Sequence, residues 1–299
     1  MTIPTRHGQK STGKPNTARR PRPNPDADIT SRITSRDATM LRLIAEHRVL
    51  TTHQLTTALF TDPGKTRQRI GILRAAGLIE TFRPPSTSMA PLHCVATAKA
   101  VKLLGYSGGT VPAPPTGAGQ AATAAALRPD LNHLRGVNEF FCRLIAHART
   151  RPECSLEEWR SEWSTAHLFP GRVRPDGFAR WREGEAWCEF FLEYDTGTEP
   201  LHRLTAKISG YAELMHTADT CSPVLFWLRT PGREEHLHTL LSRTGSAVPV
   251  ATAVGDPAGA DIPASIWRPT FTTQAKYTLA ALGQAACDHL GVPHRQHVL

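Results

Sequence analysis

The stretch Trp187-Cys188-Glu189-Phe190-Phe191-Leu192-Glu193-Tyr194-Asp195 restricts this chain more than any other: an aromatic run that ends in acids. A shorter apolar run, Phe178 to Trp181, precedes it and is opened by Arg174-Pro175-Asp176-Gly177. Between the two, Arg182 to Glu185 is polar apart from Gly184, which is a turn signal. The two runs therefore read as neighbouring strands of a hairpin. Alternate side chains of a strand share a face. Phe191, Glu193 and Asp195 then point one way, and Phe190, Leu192 and Tyr194 the other. An unpaired carboxylate beside Phe191 is too costly for a dry core. It must bind a metal, pair with a cation, or sit at a sheet end open to water. Asp176, at the start of the partner strand, falls near Glu193. Two carboxylates brought together favour a hard divalent cation such as Mg²⁺, which takes oxygen ligands. Such an ion activates a water against a phosphodiester.

The surrounding pattern supplies more elements. Asp130 to Ala148 has an apolar stripe at helical spacing, through Leu134, Val137, Phe141, Leu144, Ile145 and Ala148. Leu156 to Trp163 reads as a strand, Leu201 to Met215 as a helix and Pro223 to Leu228 as a further strand. Helix, three strands carrying acids, helix, strand resembles the core of PD-(D/E)XK nucleases. Pro175-Asp176 and Glu193-Tyr194-Asp195 carry the resemblance, with Asp195 where the pattern has its lysine. It implies a catalytic set of Asp176, Glu193, Asp195 and Lys207, with Asp176 and Glu193 holding Mg²⁺. Lys207 enters because some nuclease-like families move the lysine to the second helix. The alternative is a cation that neutralises Glu193 or Asp195 structurally. In such folds the first helix often adds a glutamate, here Glu139, but a surface pair with Arg143 at i,i+4 is the preferred reading.

Ahead of this region lies a second pattern. Ser35 to His47 reads as a helix with Ser35 as N-cap, and Thr51 or Thr52 caps another through Phe60. Asp62-Pro63-Gly64 is a turn, and Lys65 to Ala76 a third helix ended by Gly77. Leu78 to Phe82 and Leu92 to Ala96 read as strands around a polar loop from Arg83 to Ser88. This order resembles a winged helix-turn-helix. The third helix offers Lys65, Thr66, Arg67, Gln68, Arg69 and Arg74 to DNA. Arg67 and Gln68 suit base edges, while Lys65, Thr66 and Arg69 suit phosphates.

Taken together, roughly Ile33 to Leu228 resembles the replication-relaxation family of actinobacterial plasmids and integrative elements. The resemblance implies a part in plasmid replication or DNA relaxation. The expected fold class is α+β, a winged helix followed by an α/β nuclease-like domain. The expected divisions are a basic tail (1–30), a winged helix (31–106), a linker (107–127), a nuclease-like domain (128–243), and a flexible segment with a last helix (244–299).

Composition agrees with a nucleic-acid partner. The chain has 299 residues, a net charge of +9 and an isoelectric point near 9.6. An anionic partner follows, double-stranded DNA first. Replication or transfer proteins and a second copy of the chain are further expected partners. Six cysteines form no CxxC pair, and no apolar run is long enough for a bilayer. Reduced thiols and a cytoplasmic location are therefore expected. Three alternatives stay open. One is a non-catalytic replication initiator or transcription regulator on the same winged helix. A second is a relaxase acting through Tyr106, Tyr194, Tyr211 or Tyr277. The third, a metal site at His236-Leu237-His238, needs a strand, whereas Leu237, Leu240 and Leu241 have helical spacing.

Overall fold

Continuous apolar runs make buried strands and interrupted ones make half-exposed helices, and the chain sorts accordingly. The structure, a computed structural model, describes residues 33–84, 90–106, 111–169, 173–218, 220–244, 248–273 and 276–295. The basic tail and most of the Arg83–Ser88 loop lie outside these residues.

The N-terminal part runs α1 (Ser35–His47), β1 (Leu50–Thr51), α2 (Thr52–Leu59), α3 (Pro63–Ala75), β2 (Ile79–Phe82), β3 (His93–Ala96) and α4 (Ala98–Leu103). Its strands form an antiparallel sheet in the order β1-β3-β2. The cap of α1 is Thr34 rather than Ser35. Asp37 in turn accepts from the Thr34 amide at 2.8 Å, closing a capping box. Asp62 caps α3, with Pro63 in its first turn, and Gly77 takes the left-handed conformation after it (φ 71°). Met40, Leu41, Ile44, Leu55, Ile70, Leu73 and Leu78 bury the shared core.

The expected linker contains a helix, α5 (Gln120–Ala126). Glu80 on β2 accepts from the amides of Gly119 and Ala122 at 2.7 and 2.9 Å. A carboxylate on a helix N-terminus satisfies orphan donors and meets the positive end of the dipole. Its partner lies some forty residues upstream, so local composition gave no sign of it.

The rest is α6 (Leu131–Ala148), β4 (Cys154–Ser161), α7 (Glu162–Leu168), β5 (Gly177–Glu183), β6 (Ala186–Tyr194), α8 (Leu201–Ala218), β7 (Val224–Leu228), α9 (Pro231–Thr244), β8 (Val250–Val254), β9 (Arg268–Pro269) and α10 (Leu279–Leu290). Six strands lie in chain order, β4-β5-β6-β7-β8-β9. The first three are antiparallel, β6, β7 and β8 are parallel, and β9 closes the edge antiparallel. Helices cover both faces, as a sheet with parallel central strands requires. On one face Phe140, Phe141 and Leu144 of α6 and Leu279 and Leu282 of α10 pack on Trp181, Phe190, Leu192 and Trp227. On the other, Leu204, Ile208 and Tyr211 of α8 and Leu237 and Leu241 of α9 pack on Phe178, Phe191 and Phe226. The mixed α and β content is as expected.

Three sequence expectations change. Gly245 to Pro263 reads from its Ala- and Pro-rich composition as flexible, yet it supplies β8, whose residues 250–253 are all buried. Ladders to β7 and β9 hold it on both edges. Glu162 to Leu168 forms α7 instead of prolonging the strand, because Ser161 caps it. Cys221 and Cys287 are joined as a disulfide with a Cα separation of 5.2 Å, against the expectation of reduced thiols.

Residues 34–299 cohere as one unit. Asn138 on α6 donates to the carbonyls of His47 and Val49 at 3.3 and 2.7 Å, and Gln54 donates to Arg135 at 2.8 Å. Glu46 accepts from the Ser161 amide and hydroxyl, and His47 stacks on Trp159 at 3.4 Å. Burial drives the His47 pKa well down, so the ring is neutral and stacks without a desolvated charge.

At Gly283 on α10 an added Cβ would lie 2.3 Å from the Trp187 carbonyl oxygen on β6. That neighbour is backbone and cannot turn aside. Gly283→Ala is therefore expected to cost about 2 kcal/mol or more. Urea unfolding should show a lower midpoint at unchanged slope, and an unmoved midpoint would contradict this packing.

Candidate functional site

The carboxyl ends of β6, β7 and β8 and the start of β5 meet at one end of the large sheet. A cleft of about 820 Å³ opens there, lined by Asp176, Glu193, Tyr194, Asp195, Lys207 and His133, among others. Ends of parallel strands commonly carry ligand sites, because the connections diverge there.

Hairpin register builds the pair of acids. Gly177 lies opposite Leu192, and the Asp176 amide donates to the Leu192 carbonyl at 3.0 Å. Asp176 is thus next across from Glu193 on the two strands. Its Oδ2 accepts from the Tyr194 amide at 2.7 Å, and its Oδ1 faces His133 Nε2 at 2.9 Å. The expected neighbourhood of Asp176 and Glu193 is present: both line the cleft, and the Asp176 charge acts on Glu193.

Glu193 is 2% exposed. Its Oε2 accepts from Lys207 Nζ at 2.6 Å and its Oε1 from the Tyr211 hydroxyl at 2.5 Å, both from α8. Burial, and then the Asp176 charge, push its pKa up to about 7 despite these partners. Burial opposes the charge on Lys207, but Glu193 outweighs it, so the Lys207 pKa rises. His133 behaves alike. Burial disfavours its cation, while the hydrogen bond and charge of Asp176 prevail and raise its pKa. Tyr211, fully buried beside Glu193, has its pKa raised well above the usual phenol value and stays a donor.

Asp195 lines the same cleft. Arg233 at the start of α9 grips it through Nε at 2.5 Å and a second nitrogen at 3.0 Å, and the Gly197 amide adds 3.0 Å. A forked guanidinium satisfies both carboxylate oxygens. Arg203, a helical turn before Lys207, is exposed and lines a separate groove. The fork instead fixes the turn after β6, since Arg233 also donates to the Glu199 carbonyl at 2.8 Å.

Sequence reasoning missed His133 and Arg233, and offered Tyr211 as a relaxase tyrosine rather than as the partner of Glu193. Tyr211 lies one turn beyond Lys207 on an otherwise apolar stripe, a legible i,i+4 signal. His133 lies on the helix searched only for Glu139. That glutamate pairs with Arg143 at 2.8 Å, as preferred. Gly136 lets α6 approach: a Cβ there would lie 2.2 Å from the Tyr194 ring.

Among the described residues no three His, Cys, Asp or Glu side chains gather as for a metal cage. Mg²⁺ seldom uses such a cage. It is held by one or two carboxylates, with water and phosphate completing the shell. Asp176 and Glu193, paired on one cleft, fit that donor set. The His236-Leu237-His238 motif lies on α9, where residues two apart diverge. His236 is exposed, while His238 bonds the Thr252 hydroxyl at 2.9 Å.

On α3, Lys65, Arg67, Gln68 and Arg74 are exposed. Thr66 is fully buried, with its hydroxyl between Thr56 at 2.9 Å and the Asp62 carbonyl at 3.1 Å. Arg69 is committed to the buried Asp37 through Nε at 2.9 Å. These two residues, expected on phosphates, instead fasten α3 to α2 and α1. Helical spacing turned Thr66 and Arg69 inward, three residues apart.

A family model described as Replication-relaxation matches residues 41–225, more than half of the chain. No curated protein matches, and no solved structure does.

Proposed function

The chain belongs to the replication-relaxation family, and we propose that it binds DNA and acts on a phosphodiester at the Asp176–Glu193 cleft. The carrying observation is the pair itself: two carboxylates from adjacent strands on one cleft, with Lys207 at hydrogen-bond distance from one of them. The element order α6-β4-α7-β5-β6-α8-β7, in which only the short α7 is added to the expected one, supports the nuclease-like reading. Asp176 and Glu193 would hold Mg²⁺, which supplies an activated water and neutralises phosphate charge. The chain's own groups do the rest. The Tyr194 amide and His133 fix Asp176, and Tyr211 fixes Glu193. Lys207, partly exposed at the rim, offers its ammonium to a phosphate oxygen.

The α1-β1-α2-α3-β2-β3 order, with its three-stranded sheet, supports a winged helix with α3 facing duplex DNA. Replacing Lys65, Arg67 and Arg74 together by Ala is expected to weaken duplex binding. The slope of log affinity against log salt should become shallower by roughly 3, about 0.9 for each phosphate contact. An unchanged slope would remove α3 from the DNA surface.

The deciding experiment incubates supercoiled plasmid with the protein in chelator, Mg²⁺ or Mn²⁺. Metal-dependent nicking that is lost in Asp176→Asn supports the proposal. Binding without nicking favours a non-catalytic initiator or regulator. The observation on that side is that both Glu193 oxygens already have donors within the fold.

A further inference from the structure

A second groove, of about 610 Å³, runs along the outer side of α8 and shares Lys207 with the cleft. Arg203 and Lys207 lie on its wall one helical turn apart, and Arg174 faces them from the segment that leads to Asp176. Arg174 and Arg203 are exposed, and neither makes an ion pair among the described residues. Glu213 is the carboxylate in the groove, and it lies beyond Gly210, at the end away from Arg203. Gly210 sits against Val173, where a Cβ would come within 3.0 Å, so α8 packs closely on the segment that carries Arg174.

The charge on these surfaces divides sharply. The cleft lining holds six acids, Asp130, Asp176, Glu193, Asp195, Glu199 and Asp256, against Lys207, Arg229 and His133. The groove holds three cations against one acid. A polyanion is therefore repelled by most of the rim and drawn in along α8. The Glu193 carboxyl is 2% exposed beneath Lys207, so a phosphate has to come in close to meet it. A separated strand, thinner than a duplex, approaches such a buried group with less steric hindrance.

We propose that Arg174, Arg203 and Lys207 form a track that leads a single strand of DNA to the cleft. This rests on the DNA-acting reading of the cleft and specifies its substrate as a separated strand. Non-sequence-specific single-strand sites use such positively charged grooves to follow the backbone.

The test measures binding of a short labelled oligothymidine, which cannot pair with itself, by the full chain and by Arg174→Ala/Arg203→Ala. The double variant is expected to bind at least about tenfold more weakly. Its salt slope should be shallower by roughly 1.4, about 0.7 for each of two lost phosphate contacts on a single strand. Arg174→Lys/Arg203→Lys should restore most of the affinity, which excludes a folding defect. Duplex affinity, carried by α3, should stay unchanged. Equal oligothymidine affinity and slope in wild type and double variant would overturn the track, as would a wild type that does not bind the oligomer. The plasmid assay separates the two readings. A protein that never nicks, yet loses single-strand affinity in the variant, keeps the track and loses the nuclease. One that nicks without that loss keeps the nuclease and loses the track.

Discussion

Raising the pH from 5 to 8 in chelating buffer is expected to destabilise the protein through Glu193 by about 3 kcal/mol. Its pKa is about 7 in the fold, against 4.5 for an ordinary glutamate, chiefly because burial disfavours the carboxylate. Below the unfolded value Glu193 is protonated in both states. Between the two values the folded chain binds the extra proton, so stability falls as pH rises. Above the folded value the loss is complete. His133, also raised, adds loss of the same sign, while His47, His93 and His238, all lowered, gain stability as pH rises. The difference between wild type and Glu193→Gln isolates the carboxyl. The variant is expected to gain on the wild type across this range, by on the order of 10 °C in melting temperature. Parallel melting curves would mean that Lys207 and Tyr211 stabilise the carboxylate fully.

The second large effect comes from a divalent cation. Mg²⁺ or Mn²⁺ at about a hundred times its dissociation constant is expected to stabilise the fold by about 2.7 kcal/mol, because the unfolded chain has no assembled pair. The gain should be larger at pH 8 than at pH 6, since Glu193 must give up its proton to act as a ligand. Asp176→Asn and Glu193→Gln should each abolish it. No shift in the wild type at either pH would leave the acids as a structural network around Lys207, and the nuclease proposal would fall behind that of a DNA binder. The disulfide is an independent element. It ties α10 to the segment before β7, across 66 residues, and should be kept intact in both measurements.

Some of this architecture was legible before any coordinates. Period-two alternation put Phe191 and Glu193 on one face of β6, and the structure has them both under α8. Asp176 was readable as a neighbour of Glu193 because the turn signal at Arg182 to Glu185 joins their two strands, while the structure closes the hairpin through Gly184-Glu185 and so sets the register. Helical periodicity found α1, α2, α3, α6, α8 and α9 to within a few residues. Partners were harder. Asp195 and Arg233 are 38 residues apart, and their fork exists because α9 starts beside the end of β6. The inward turn of Thr66 and Arg69 depended on where α1 and α2 lie against α3. β8 had no local signature strong enough to mark it, and its burial comes from β7 and β9 on either side. The sequence by itself determined which residues share a face, because that follows from a backbone repeat a few residues long. Only the tertiary structure decided which cation meets which acid, because that depends on how helices far apart in the chain pack across one sheet.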